Sequence, residues 1–279
     1  SDDINQKSEI FQIHKSFARL DAKDFINDSK TIALFELEDG MFSIQVTSRK
    51  VIMYDSEFKK VASLKKSVIN LEAEDEILYA TQRDEFILLT LSTGEAFIFS
   101  VNTYNFSFAK IDLPKILSDV LITTGYITSS KLLTAVEKDI NIIFNRGIKR
   151  KHGSAPIKPA LVNNEDTTTL KTTLFVLVTG DNRIVVFSRY HKEKCYQLND
   201  FEKFTEHLTL GFFENKDSIP DPFIKQVVLN SLGNSKEKNL QEEYLNILTV
   251  GGQVIMYKMY FDGENYQFLK QKDLKITGA

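Results

Sequence analysis

The chain has 279 residues, 42% of them hydrophobic and 26% charged, with a formal net charge of −3. Such a chain can bury a sizeable core and is not disordered as a whole. Its slight acidity argues against a strongly basic nucleic-acid binder, though not against a local basic patch on a neutral body.

In chain order, IFQIHKSFARL (10–20) carries apolar residues at Ile10, Phe11, Ile13, Phe17 and Leu20, a pattern split between helix and strand. From residue 42 a doubled pattern begins: an apolar run, a short break, and a second apolar run that closes on an aromatic. FSIQV leads to VIMY ending at Tyr54, and FILLTL to AFIF ending at Phe99. LLTAV then precedes NIIF at Phe144, LFVLV precedes IVVF at Phe187, and YLNILTV precedes VIMY at Tyr257. The closing aromatics are spaced by 45, 45, 43 and 70 residues. Five positions before them stand Arg49, Gly94, Asp139, Asn182 and Gly252, and all but the arginine tolerate the positive φ of a tight hairpin. Two short helices are also predicted, one in LPKILSDVL (113–121) and one in NDFEKFTEHL (199–208), where Asn199 or Asp200 serves as N-cap.

A repeat of about 40 to 45 residues with several strands per unit is the signature of a propeller blade. Leucine-rich, tetratricopeptide and ankyrin repeats are shorter and largely helical. FILLTL and LFVLV do not alternate apolar with polar and, Thr90 aside, are apolar throughout, as suits strands covered on both faces. The expected fold is therefore all-β, a β-propeller of WD40-like blades made of four-stranded antiparallel sheets. A seven-bladed ring needs about 315 residues at about 45 per blade. Residues 1–279 are therefore expected to form one incomplete ring, with apolar blade faces left for another chain or segment to cover. Loop insertions are expected near 145–171 and 231–243; the latter, together with ENKDSIPDPF (214–223), accounts for the 70-residue interval.

The residues offer little chemistry. His14, His152, His191 and His207 stand far apart, with none at a metal-ligand spacing. Cys195, the single cysteine, excludes an internal disulfide, suggests a reducing intracellular compartment and lacks the basic context of a nucleophile. TGDNR and VGGQV read as turns, lacking the lysine of a phosphate loop. The acidic clusters LEAEDE and EDG fall in polar connections. Neither an enzyme nor a bound cofactor or metal is expected. No apolar run approaches the ~18 residues of a membrane span, and the polar opening SDDINQKSEIF does not read as a secretory signal.

Binding remains. NRGIKRKHGSAPIKPA (145–160) holds five basic residues and no acidic one. Arg146, Lys149, Arg150 and Lys151 are the candidate contacts for RNA phosphates or a partner, and the stretch also reads as a nuclear import signal. No aromatic interleaves them to stack on bases. Tyr260 and Phe261, just past the last anchor, are candidates for an exposed aromatic pair.

The segment SIQVTSRKVIMYD (43–55) resembles the I-x-Q-V/I-T-x-x-x-V-R-L motif of the middle propeller in a family of triple-propeller scaffolds. That family includes the large subunit of the cleavage and polyadenylation specificity factor, the large damaged-DNA-binding subunit of cullin ubiquitin ligases, and a propeller subunit of splicing factor 3b. The polyadenylation subunit is the nearest in pattern. EILYATQRDEFILLTLSTGEAFIFSV, TLFVLVTGDNRIVVFSRYHKEKCYQLNDF and FIKQVVLNSLG with YLNILTVGGQVIMYKMYF resemble its later segments, in order, from about Asp24 to Asp273. The chain departs from it in lacking tryptophan and in having MYD where relatives carry an arginine-containing strand. Its Asn- and Lys-rich loops are similar to those of a fungal member. The resemblance implies a nuclear, non-catalytic scaffold of a multi-propeller protein. It would organise a WD-repeat subunit and a zinc-finger subunit that read the polyadenylation signal, with poly(A) polymerase held indirectly and pre-mRNA contacted mostly through those subunits. The alternatives it leaves are a scaffold of splicing factor 3b in the U2 particle and a cullin ubiquitin-ligase adaptor.

Overall fold

The computed structural model describes residues 23–130, 172–188, 195–203, 219–232, 242–261 and 266–275. Among them, sixteen strands form four four-stranded antiparallel sheets, each a meander in chain order. The first sheet holds β1 (Thr31–Leu37), β2 (Phe42–Thr47), β3 (Val51–Asp55) and β4 (Lys60–Ser63); the second holds β5 (Ile77–Arg83), β6 (Phe86–Leu91), β7 (Ala96–Asn102) and β8 (Ser107–Ile111). The third holds β9 (Ile122–Ser130), β10 (Thr172–Thr179), β11 (Ile184–Ser188) and β12 (Tyr196–Leu198); the fourth holds β13 (Ile224–Leu232), β14 (Glu242–Thr249), β15 (Gln253–Phe261) and β16 (Tyr266–Lys275). No helix among the described residues is long and apolar enough to cross a membrane.

Three apolar clusters glue successive sheets. Ile44, Val46 and Met53 of the first meet Ile87, Leu89 and Phe99 of the second. Phe86, Leu88 and Ile98 of the second meet Phe175, Leu177 and Phe187 of the third. Val176 and Val186 of the third meet Leu245, Ile247 and Tyr257 of the fourth. A sheet sandwiched between two others must be apolar on both faces, and β6 and β11 are buried at every residue. In β14 burial alternates: Leu245 and Ile247 are buried, while Tyr244, Asn246 and Leu248 are half-buried. The fourth sheet is thus covered fully on only one face.

The repeating turns also join the sheets by hydrogen bonds. The first residue of each later sheet donates its backbone N–H to the turn between second and third strands of the sheet before it. Ile77 reaches the Ser48 carbonyl at 2.8 Å, Ile122 the Gly94 carbonyl at 2.7 Å, and Ile224 the Asn182 Oδ1 at 2.8 Å. All three isoleucines are buried. This recurring contact is the physical content of the sequence period: each turn serves its own hairpin and the start of the next blade.

The turn residues carry the backbone expected of them at Gly94 (φ 86°), Asn182 (φ 70°) and Gly252 (φ 81°). Arg49 is not among the positive-φ residues. There the Thr47 Oγ1 accepts the N–H groups of Arg49 and Lys50 at 3.2 and 3.0 Å, tightening the turn without a left-handed residue.

The expected hairpin ending at Phe144 lies outside the described residues, as do Asp139 and the 10–20 stretch. Because Ser130 pairs with Thr172, residues 131–171 connect the first two strands of the third sheet. The predicted helix at 113–121 amounts to one 3₁₀ turn, Lys115–Leu117, after Pro114, with no side chain capping its start. Of the predicted helix at 199–208, residues 199–203 are non-helical and the remainder lies outside the described residues.

Where the second and third sheets meet, Gly125 in β9 leaves no room for a side chain. A Cβ there would stand 2.5 Å from Leu88 Cδ2 and 2.8 Å from both Leu177 Cδ2 and the Val176 carbonyl oxygen. The carbonyl belongs to the paired strand and cannot swing away. Gly125→Ala is expected to destabilise the chain by about 1–3 kcal/mol, the cost of overpacking a tight interior; a urea titration showing no loss would contradict this packing.

Candidate partner interface

Three side-chain arrangements brace the blades and so determine which surfaces remain for partners. The first is the motif 43–55, which forms β2, its turn and β3. Gln45 is 1% exposed and every hydrogen-bonding capacity of its amide is used. Its Nε2 donates to the Ile26 carbonyl and to Thr31 Oγ1, both at 2.8 Å. Its Oε1 accepts the Ile26 N–H at 3.1 Å and lies 2.8 Å from the Tyr54 hydroxyl. Phe25 stacks on the Tyr54 ring at 4.9 Å. Burial pushes the Tyr54 phenol up from its ordinary value. The glutamine and the closing aromatic of the motif therefore clasp residues 24–26 onto the first sheet.

The second is Arg49, whose guanidinium donates to the carbonyls of Asp75 and Glu72 and so holds the connector that enters the second sheet. The third is Asn182, fully buried. Besides accepting the Ile224 N–H, it donates through Nδ2 to the carbonyls of Glu202 and Pro222 at 3.0 and 3.1 Å. One side chain thus secures the passage from the third sheet to the fourth.

The opposite end of the sheets carries the β1–β2, β5–β6 and β7–β8 turns. Glu38 (φ 49°), Asp39 (φ 53°) and Asp84 (φ 50°) adopt left-handed backbone there. A cleft of about 540 Å³ opens between the first two sheets. Its charged lining consists of the carboxylates of Glu36, Glu38, Asp39, Asp84 and Glu85 against the single guanidinium of Arg83. Thr103 donates its hydroxyl to Glu38, tying the β7–β8 turn to the β1–β2 turn. On the same two turns Tyr104 is 95% exposed, Met41 57% and Phe106 44%, with Phe106 6.1 Å from Phe42.

Arg146, Lys149, Arg150 and Lys151 lie outside the described residues, as do all four histidines and the side chains of Tyr260 and Phe261. EDG (38–40) is the β1–β2 turn, and LEAEDE (71–76) forms the connector before β5. Among the described residues, no group of three or more His, Cys, Asp and Glu is placed to hold a metal ion. Cys195 packs half-buried against the cluster between the second and third sheets, and burial pushes its thiol up. Little thiolate then forms at neutral pH. Alkylation by iodoacetamide at pH 7.5 is expected to be slower than that of a free thiol peptide and to accelerate above pH 9; faster alkylation than the peptide at pH 7.5 would contradict a packing role.

Comparison with known proteins completes the description. A family model described as the RSE1/DDB1/CPSF1 second beta-propeller matches residues 1–278. The chain belongs to this family. Its four four-stranded sheets are the family's β-propeller blades, so the all-β propeller expectation holds, and the motif resemblance running from Asp24 to Asp273 is borne out. Protein CFT1 of Debaryomyces hansenii is 54% identical over 282 residues, covering 100% of this chain and 21% of that protein. Protein CFT1 of Candida albicans is 49% identical over 296 residues, again across 100% of this chain and 20% of that protein. The CFT1 of Saccharomyces cerevisiae is 28% identical over 283 residues, with 18% of its length covered. The chain thus spans about a fifth of the length of the curated relatives it matches. The glutamine clasp could have been found from sequence as a polar residue inside an apolar strand. The acidic and aromatic turn tips required knowing which hairpin ends share one end of the sheets.

Proposed function

We propose that the chain is a scaffold propeller of the nuclear machinery for pre-mRNA 3′-end cleavage and polyadenylation, acting without catalytic groups of its own. The observation that carries this reading is the family match over residues 1–278 together with 54% and 49% identity to proteins named CFT1, the fungal large subunit of the polyadenylation factor. The same relatives favour polyadenylation over the splicing-factor 3b and cullin-adaptor readings, which share the fold. The physics suits the role: successive sheets glued face to face and tied turn to strand give a rigid body, and the turns at either end are exposed to partners.

In this reading the parent protein organises a WD-repeat subunit and a zinc-finger subunit that read the polyadenylation signal, and holds poly(A) polymerase indirectly. Pre-mRNA is gripped mainly by those subunits, since this chain has a net charge of −3. Arg146, Lys149, Arg150 and Lys151 assist at most. Replacing Lys149, Arg150 and Lys151 with Ala is expected to change retention of a labelled RNA by the assembled complex by less than about threefold, because in this reading the other subunits supply most of the phosphate contacts. A loss of tenfold or more would make this stretch a principal RNA contact.

The test is affinity purification of the full-length parent from nuclear extract, at moderate salt with nuclease, followed by mass spectrometry. Recovery of poly(A) polymerase with a zinc-finger and a WD-repeat subunit is expected. Recovery of U2 splicing proteins or a cullin instead would overturn the function and leave the fold untouched.

A further inference from the structure

The cleft between the first two sheets is a surface that the scaffold reading does not use. Its walls bring five carboxylates together against one guanidinium. At its margin the β1–β2 and β7–β8 turns present Met41, Tyr104 and Phe106 to water, joined by the Thr103 to Glu38 hydrogen bond and the Phe42 to Phe106 ring contact. A tyrosine 95% exposed on one of these turns and a methionine 57% exposed on the other are apolar surface that contributes nothing to the blade core. Tyrosine and methionine are also side chains enriched where proteins meet. Charge decides the occupant. A single-stranded RNA could stack a base on Tyr104, but its phosphates would face the carboxylates, and the repulsion opposes binding. A cationic segment with apolar side chains satisfies both halves, its ammonium or guanidinium groups meeting the acidic walls while its apolar residues cover Met41, Tyr104 and Phe106.

We infer that this cleft is a docking site for a basic, leucine-bearing linear segment of a partner protein. The inference concerns this surface and holds whichever complex the parent serves. Electrostatic steering would speed the encounter and make the affinity fall with salt, while the aromatic rim would set the residence time.

The test uses the full-length parent and three fluorescein-labelled probes in fluorescence anisotropy: a peptide of alternating lysine and leucine, one of alternating aspartate and leucine, and a single-stranded oligouridine. The lysine–leucine peptide is expected to bind, and to bind at least about tenfold more weakly when Glu38, Asp39 and Asp84 are all replaced by Lys. Tyr104→Ala is expected to weaken it by about three- to tenfold with little change in salt dependence. All four residues are exposed; the triple Lys variant also loses the Thr103 to Glu38 hydrogen bond, so a modestly lower melting temperature with a single cooperative transition is expected and serves as the control for folding. Equal binding of the lysine–leucine peptide to wild type and to the triple Lys variant would overturn the inference. So would tighter binding of the aspartate–leucine peptide, or ultraviolet cross-linking of the oligouridine to Tyr104.

Discussion

Asn182→Ala is expected to lower the unfolding free energy of the chain by about 3–5 kcal/mol. The substitution removes three hydrogen bonds at once and leaves the Ile224 N–H and the carbonyls of Glu202 and Pro222 without this partner. The buried Ile224 N–H so orphaned costs about 1–3 kcal/mol, and the two part-buried carbonyls cost less because water can reach them. Alanine is also strained at φ 70°, by roughly 1–2 kcal/mol. Asn182→Gly separates the two causes, because glycine accepts the backbone and lacks the amide; it is expected to recover about 1 kcal/mol of the loss. Urea unfolding monitored by circular dichroism reads both variants. A loss under about 1 kcal/mol for Asn182→Ala would mean that the join between third and fourth sheets does not depend on this side chain.

Phe175→Ala is expected to cost about 3–5 kcal/mol, the range for removing a buried aromatic from a close-packed interior. Phe175 is fully buried between the second and third sheets. Its ring meets Phe86 edge-on, with centroids 5.4 Å apart and planes at 88°, and lies 5.4 Å from Phe187. Both neighbours are anchored in β-ladders of their own strands, so the void cannot close by a simple side-chain shift. Phe175→Leu keeps most of the volume and is expected to cost about 1–2 kcal/mol. The difference between the two variants reads the cavity, and equal losses from Leu and Ala would contradict the packing described.

Much of this architecture can be read from particular residues. FILLTL and LFVLV announce strands covered on both faces because they leave no alternate polar positions for water, Thr90 being their one polar residue, and both are buried throughout. Gly94, Asn182 and Gly252 mark turns because few other residues hold a left-handed backbone. Arg49 shows the limit of that logic, since Thr47 closes the turn with a hydroxyl and frees the arginine to hold a distant connector. Other features were not legible because they depend on what meets in space. That Ser130 pairs with Thr172 could not be foreseen, because no local pattern reveals how far a strand's partner lies along the chain. The motif 43–55 pointed to a family through Gln45, but that Gln45 grips Ile26 follows only from the fold. EDG reads as a solvated turn on its own; it becomes part of a charged cleft only because the β5–β6 and β7–β8 turns stand beside it.

The most direct test of the scaffold function is depletion and rescue in nuclear extract. Removal of the parent protein is expected to abolish both cleavage of a pre-mRNA substrate and addition of its poly(A) tail while leaving splicing intact. Recombinant parent should restore both steps in the extract and cleave no RNA when incubated alone. Intact 3′-end processing after depletion, or a loss of splicing in its place, would contradict the account.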